Sequence, residues 1–192
     1  EGSVQAALSD FVATFVGLVR DSDLLSAKEL LTGNFVYRAN AATITAFNIR
    51  NTERADLISS NNHYDDIQTR GLSLHSVLER QTPQRILVNG AATNHPDAAG
   101  LLTTRAWSQA HATAGTNRRL VEYAFKEFMC VTMQQWADSS APDERVGRDV
   151  TRTPSGDFLT YQTTCKGCHA QMDGMRGAFA FVDFVADGTG FA

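Results

Sequence analysis

The chain has 192 residues, of which 43% are apolar and 20% charged, and its 17 Lys and Arg against 21 Asp and Glu give a formal net charge of −4. These values are typical of a folded globular protein and exclude a disordered chain. The mild acidity, without a dense Lys/Arg cluster, argues against a nucleic-acid binder. The longest apolar stretch, Phe11 to Val19, has nine residues. A membrane span needs about 20, so none is expected.

Apolar spacings of three and four residues predict the first helices. They indicate an amphipathic helix over Ser3–Arg20 and a second, short helix over Leu24–Leu31 that ends at Gly33. The next segment, Phe35–Ile49, also fits a helix, although its β-branched residues and Asn weaken that interpretation.

Turn-forming residues predominate between Asn51 and Gly100, where Asn89-Gly90 is one of several turn dipeptides. This part of the chain is therefore predicted to be irregular. The exception is Ile86–Val88, an apolar run before a turn, which predicts one short strand.

Helical periodicity resumes in the last part of the chain. Three helices are predicted there, and they run from Thr103 or Thr104 to about Ala112, from Arg118 to Trp136, and from Ser155 or Asp157 into a pair of cysteines. The middle helix has the most regular apolar stripe. A break at Gly115 precedes it, and a polar loop at 139–154 follows it.

The cysteine pair belongs to the segment Cys165-Lys166-Gly167-Cys168-His169, which has the C-x-x-C-H pattern of c-type haem attachment. Two thiols three positions apart on a helical turn point the same way, so they can bond to the two vinyl groups on one haem edge. The imidazole of His169 is then placed under the iron as the proximal ligand. The motif predicts one covalently bound haem c.

Other uses of a C-x-x-C pair fit this sequence less well. A thioredoxin-like pair follows a strand at the start of a βαβ unit, whereas a short polar helix is predicted before this pair. A zinc site commonly draws its ligands from a second cysteine or histidine pair, which the sequence does not contain. Cys130, the third cysteine, lies on an apolar stripe and is expected to be a buried free thiol.

Segments before and after the haem motif occur in a particular order. They are Glu29–Asn48, Gly100-Leu101-Leu102-Thr103, Thr116-Asn117-Arg118-Arg119, Met129-Cys130, the haem motif continued by Met172-Asp173, and Gly177-Ala178-Phe179-Ala180-Phe181 with Asp183. This order resembles the planctomycete-type cytochrome-C-like domain family of secreted bacterial proteins. The sequence lacks that family's Ser-Pro after Thr116 and its prolines after Cys130, and it has Gly174 where the family often has Pro.

Periodicity indicates a mainly α chain, and the resemblance implies a helical c-type cytochrome-like domain with long loops and the haem motif near the C-terminus. Residues 1–192 are expected to form a single haem-binding domain, with a helical N-terminal subregion 1–50, an irregular part 51–99 and a haem-binding helical part 100–192. The resemblance also implies export, to the periplasm or the cell exterior of a bacterium. The start at Glu1, without an initiator Met, indicates an end left by processing or by cloning.

A second, distal iron ligand is expected from upstream of the motif. The 23 residues after His169 are too few to wrap the haem, and Met172 and Met175 lie on the proximal side because one helical turn advances only about 5.4 Å. The candidates are His111 first, then Met129 and Met133, with His63, His75, His95 and a vacant sixth position also left open. Four arginines are candidates to pair with the haem propionates, namely Arg105, Arg118, Arg119 and Arg176.

The predicted function is electron transfer by an exported monohaem c-type cytochrome that meets redox partner proteins. One alternative is an open-site haem enzyme or a gas or peroxide sensor. Another is a haem-bearing structural subunit of a larger electron-transfer assembly. An electron carrier is favoured over a catalyst, and an oligomer or a larger complex is compatible with each hypothesis.

Overall fold

The chain forms two compact units. The first comprises Glu1–Ala110 and Asp183–Phe191, and the second comprises His111–Val182 with Ala192. The computed structural model describes residues 7–112, 117–146, 156–180, 182–185 and 188–191. In the described part of the chain helices predominate over a few short strands, as the mainly α prediction requires.

Six α-helices and two short helical turns start within the described part of the first unit. They are α1 Asp10–Arg20, α2 Glu29–Thr32, α3 Ala41–Phe47, a π-helical turn Glu53–Ile58, α4 Asn62–Thr69, α5 Leu74–Val77, a 3₁₀ turn Gly100–Thr103 and α6 Arg105–His111. Two sheets accompany them. The first pairs β1 Val36–Ala39 with β2 Leu78–Gln81, and the second has the order β4 Ala91–Asn94, β3 Arg85–Val88, β6 Gly188–Phe191, β5 Val182–Val185.

The amphipathic helix α1 supplies one wall of the core of the first unit. Its N-cap is Ser9, whose Oγ accepts a hydrogen bond from the Val12 amide at 3.4 Å. The helix therefore begins at Asp10, later than the predicted Ser3, and residues 1–6 lie outside the described residues. Its apolar face packs on β1, in a core of buried side chains that includes Leu18, Tyr37, Tyr64, Ile67 and Leu78.

A cap also explains why Phe35–Ile49 is not one helix. Asn40 accepts a hydrogen bond from the Thr43 amide through Oδ1 at 2.8 Å, so a new helix, α3, begins directly after β1. The short helix predicted over Leu24–Leu31 is confirmed only in its last part, as α2, which ends at Gly33 as expected.

The irregular part predicted over residues 51–99 is wrong, because this stretch holds three helical elements and three strands. The predicted strand at Ile86–Val88 is confirmed within β3. Asn89 and Gly90, with φ of 51° and 76°, form the two-residue turn that pairs β3 with β4, and the sequence interpretation missed this return strand. Buried polar contacts also tie this stretch to its neighbours. The Gln84 side chain, for example, forms hydrogen bonds with Phe35, Gly100 and Thr103.

The second unit is built around two helices that pack together, α7 Arg118–Met129 and α9 Lys166–Met175. Before α9 come α8 Phe158–Thr160 and a π-helical turn Tyr161–Cys165, and after it comes a 3₁₀ turn, Arg176–Phe179. α7 stops seven residues before the predicted end at Trp136, because Cys130 adopts φ 55° and its amide bonds to the Phe125 carbonyl. The predicted break at Gly115 and the predicted cap Ser155 lie outside the described residues.

Candidate functional site

The predicted helix into the cysteine pair is confirmed. Asp157 caps it, accepting a hydrogen bond from the Thr160 amide at 2.8 Å through Oδ2. Tyr161 is buried and donates its hydroxyl to Asp143 at 3.0 Å, which anchors the start of the π-helical turn. Cys165 is the last residue of that turn, and Cys168 follows in α9.

Both thiols of the motif are free and partly exposed. Cys168 packs against a small apolar cluster of Val121, Met133 and Met172, and its Sγ lies 3.5 Å from the Met133 carbonyl oxygen. Burial raises the pKa of the Cys168 thiol, and the nearby Glu122 carboxylate acts in the same direction. The Cys168 side chain is therefore held as a neutral thiol at neutral pH.

His169 is part of a short polar chain that crosses from α9 to α7. Its Nδ1 lies 3.3 Å from Oδ1 of Asp173, one helical turn further along α9. Asp173 also accepts two hydrogen bonds from the guanidinium of Arg118, from Nε at 2.6 Å and from a terminal nitrogen at 2.7 Å. The sequence interpretation quoted Asp173 only for the resemblance, although its i, i+4 spacing from His169 was the signal for a contact.

A glycine between the two cysteines lets a loop approach α9 closely. The Gly167 carbonyl accepts a hydrogen bond from the Asp138 amide at 3.1 Å, and a Cβ on Gly167 would lie 3.3 Å from Cβ of Ala137. Further along α9, the helix borders an open cleft of about 670 Å³, whose lining includes Glu144, Ala170 and Gly174.

The three named candidates for the distal ligand have different surroundings. The His111 ring stacks on Tyr123 with a centroid distance of 4.2 Å, and burial, with Arg119, lowers the His111 pKa. The side chain of Met129 is 58% exposed at the end of α7, whereas Met133 is 3% exposed. Met133 is therefore the candidate that the structure brings into contact with the motif, through Cys168.

The other three histidines lie in the first unit. His63 uses both ring nitrogens, because Nδ1 donates to the Arg50 carbonyl at 2.7 Å and Nε2 accepts from the Ala39 amide at 2.9 Å. His95 is buried and accepts the Asp97 amide at Nδ1, and His75 is exposed. These contacts give His63 a structural role.

The expectation for Cys130 is corrected, and two of the arginines considered for haem propionates have partners within the protein. Cys130 is exposed, because it terminates α7 in a left-handed conformation rather than continuing the apolar stripe. Arg118, considered for a haem propionate, instead forms the paired hydrogen bonds with the Asp173 carboxylate, an Arg–carboxylate fork. Arg105 is buried in the first unit and bonds to Gln109 and Asn61.

The donor set fits a covalently attached haem. Two free thiols on one helical segment precede a histidine whose Nδ1 is engaged, which leaves Nε2 for a metal. Among the described residues, no three His, Cys, Asp or Glu side chains are grouped to hold a metal ion. In the same part of the chain, no helix combines the length and apolarity that crossing a membrane requires.

Comparison of the chain with protein-family models, with curated proteins and with solved structures found no match.

Proposed function

We propose that the second unit binds one haem c covalently and that the protein transfers electrons. The observation that carries this proposal is the C-x-x-C-H segment on one continuous helical stretch, with both thiols free and partly exposed. Cys165 and Cys168 are the attachment residues and His169 is the proximal ligand.

Covalent attachment needs only the two thiols and the two vinyl groups of the haem. Cys165 and Cys168 would each add their S–H bond across one vinyl group, so that sulfur would bond to one vinyl carbon and the hydrogen would go to the other. No oxidant is consumed, and the products are two thioethers.

A haem held this way supplies one-electron chemistry between ferrous and ferric iron. The protein's part is to hold His169 in one orientation and to bury the surrounding side chains, such as Met172. A permanent covalent link suits a periplasmic or extracellular location, where a free cofactor would be lost. The partners proposed are redox proteins that give and take single electrons.

The test is production of the chain in a bacterial periplasm that carries a c-type haem maturation system. We expect the colour to stay on the protein after acid–acetone extraction, and one thiol per chain to react with a maleimide after unfolding and reduction of any disulfide. Cys165→Ser and Cys168→Ser should each weaken attachment, because one thioether is lost. Cys130→Ser is the matched control, since Cys130 is exposed and outside the motif.

Two results would overturn the proposal. One is colour that passes completely into the organic phase. The other is three reactive thiols in the wild-type chain, which would show that neither Cys165 nor Cys168 had been modified.

A further inference from the structure

We infer that Asp173 is a positioning residue for His169, which it orients and makes a stronger iron ligand, and that Arg118 fixes Asp173 in place. This inference rests on the proposed haem attachment, because it concerns the proximal side of the same site.

The geometry sets the direction of the hydrogen bond. Asp173 lies one helical turn from His169, and its side chain is fully buried, with 0% of its surface exposed. A carboxylate without a proton only accepts, so Nδ1 of His169 carries the hydrogen and Nε2 is left with a lone pair. The contact therefore selects the tautomer that can bind iron through Nε2.

Arg118 explains why a carboxylate is tolerated at this depth. A buried charge without a partner is strongly destabilising, whereas an Arg–carboxylate fork gives two parallel charge-assisted hydrogen bonds. Both bonds are short, and Arg118 lies at the first turn of α7, a different helix from α9. The fork therefore prevents Asp173 from rotating away from the His169 ring.

The consequence is electronic as well as steric. An anion that accepts the Nδ1 hydrogen increases the electron density and basicity of the imidazole. A more basic ligand stabilises ferric over ferrous iron, so this chain should have a lower reduction potential than it would with a neutral partner at residue 173.

The experiment measures the reduction potential of the haem-loaded protein by spectroelectrochemical titration. Asp173→Asn keeps the size of the side chain and an acceptor oxygen but removes the charge. We expect the preference for ferric iron to fall about tenfold, which raises the potential by about 59 mV for one electron. Glu144→Gln is the matched control, because it removes one negative charge from the cleft beside α9 without touching His169.

A second variant keeps the test decisive if Asp173→Asn does not fold. Arg118→Lys retains the positive charge but loses the fork, so the potential should rise by a smaller amount. A potential unchanged from wild type, or lowered, in whichever of the two variants carries haem would overturn the inference. So would an equal rise in Glu144→Gln. If the wild-type chain carries no covalent haem, the proposed function itself fails, which is a separate result.

Discussion

The ring of Tyr37 lies directly against Gly17, so that the face of α1 approaches β1 without an intervening side chain. A Cβ on Gly17 would be only 2.3 Å from the Cγ and Cδ1 atoms of that ring. Tyr37 cannot easily move, because it is fully buried and its hydroxyl donates to Asp21 at 2.6 Å. The close contact therefore depends on the absence of a side chain at residue 17.

Gly17→Ala should destabilise the protein although alanine favours helices. The added methyl group would overlap the ring, and overpacking of this kind costs about 1–3 kcal/mol. Urea denaturation followed by circular dichroism measures the loss. Gly177→Ala is the control, since a Cβ added at Gly177 would meet no described atom within 4 Å beyond its neighbours in the chain. Equal stability changes in the two variants would contradict the explanation.

The buried His63 should make the folded protein less stable in mild acid. Burial lowers the pKa of His63 below the ordinary value of 6.5, so the unfolded chain takes up a proton at a higher pH than the folded chain does. The free energy of unfolding therefore falls as the pH drops below about 6.5, by at most about 1.4 kcal/mol per pH unit for each such histidine. His95 and His111, whose pKa values are also lowered, add to the slope.

The test for His63 is urea denaturation of the wild type and His63→Gln at pH 7.5, 6.5 and 5.5. Gln can keep one of the two hydrogen bonds that the ring makes, so the variant should lose about 1–3 kcal/mol at neutral pH and show a shallower pH dependence. A steeper slope, or an unchanged one, would show that His63 does not titrate differently in the folded chain.

Local sequence signals predicted the elements that depend on nearby residues. The cap at Asp157, the helical course of the C-x-x-C-H segment and the Asn89-Gly90 turn all rest on contacts within a few residues. Such contacts can be inferred from residue types and spacing alone. The same reasoning predicted most of α1 and α7 from their apolar stripes.

Contacts between distant residues explain what the sequence did not reveal. Asp10, in α1, accepts hydrogen bonds from the amides of Arg105 and Ala106 at the start of α6, more than ninety positions away. The Arg118–Asp173 fork joins α7 to α9 in the same way. Hydrophobic periodicity carries no information about polar pairs of this kind. The regular secondary structure of residues 51–99 and the contact between His169 and Asp173 were therefore not predicted.

The distal ligand remains a prediction, and His111 is still its first candidate. The His111 ring stacks on Tyr123, and an aromatic pair of this kind contributes about 0.5–1.5 kcal/mol. A metal–imidazole bond is strong enough to offset the loss of that stack if iron binding turns the ring. Two imidazole ligands would also give a lower potential than an imidazole and a thioether, in the same direction as the effect expected of Asp173.

His111→Ala should convert the ferric spectrum from low-spin to high-spin, because the sixth ligand is lost. Met133→Leu, which preserves side-chain volume beside Cys168, should retain the low-spin spectrum. His75→Ala is the matched control, as His75 is exposed in the first unit. A low-spin spectrum in His111→Ala together with a high-spin spectrum in Met133→Leu would instead assign the distal position to the Met133 thioether.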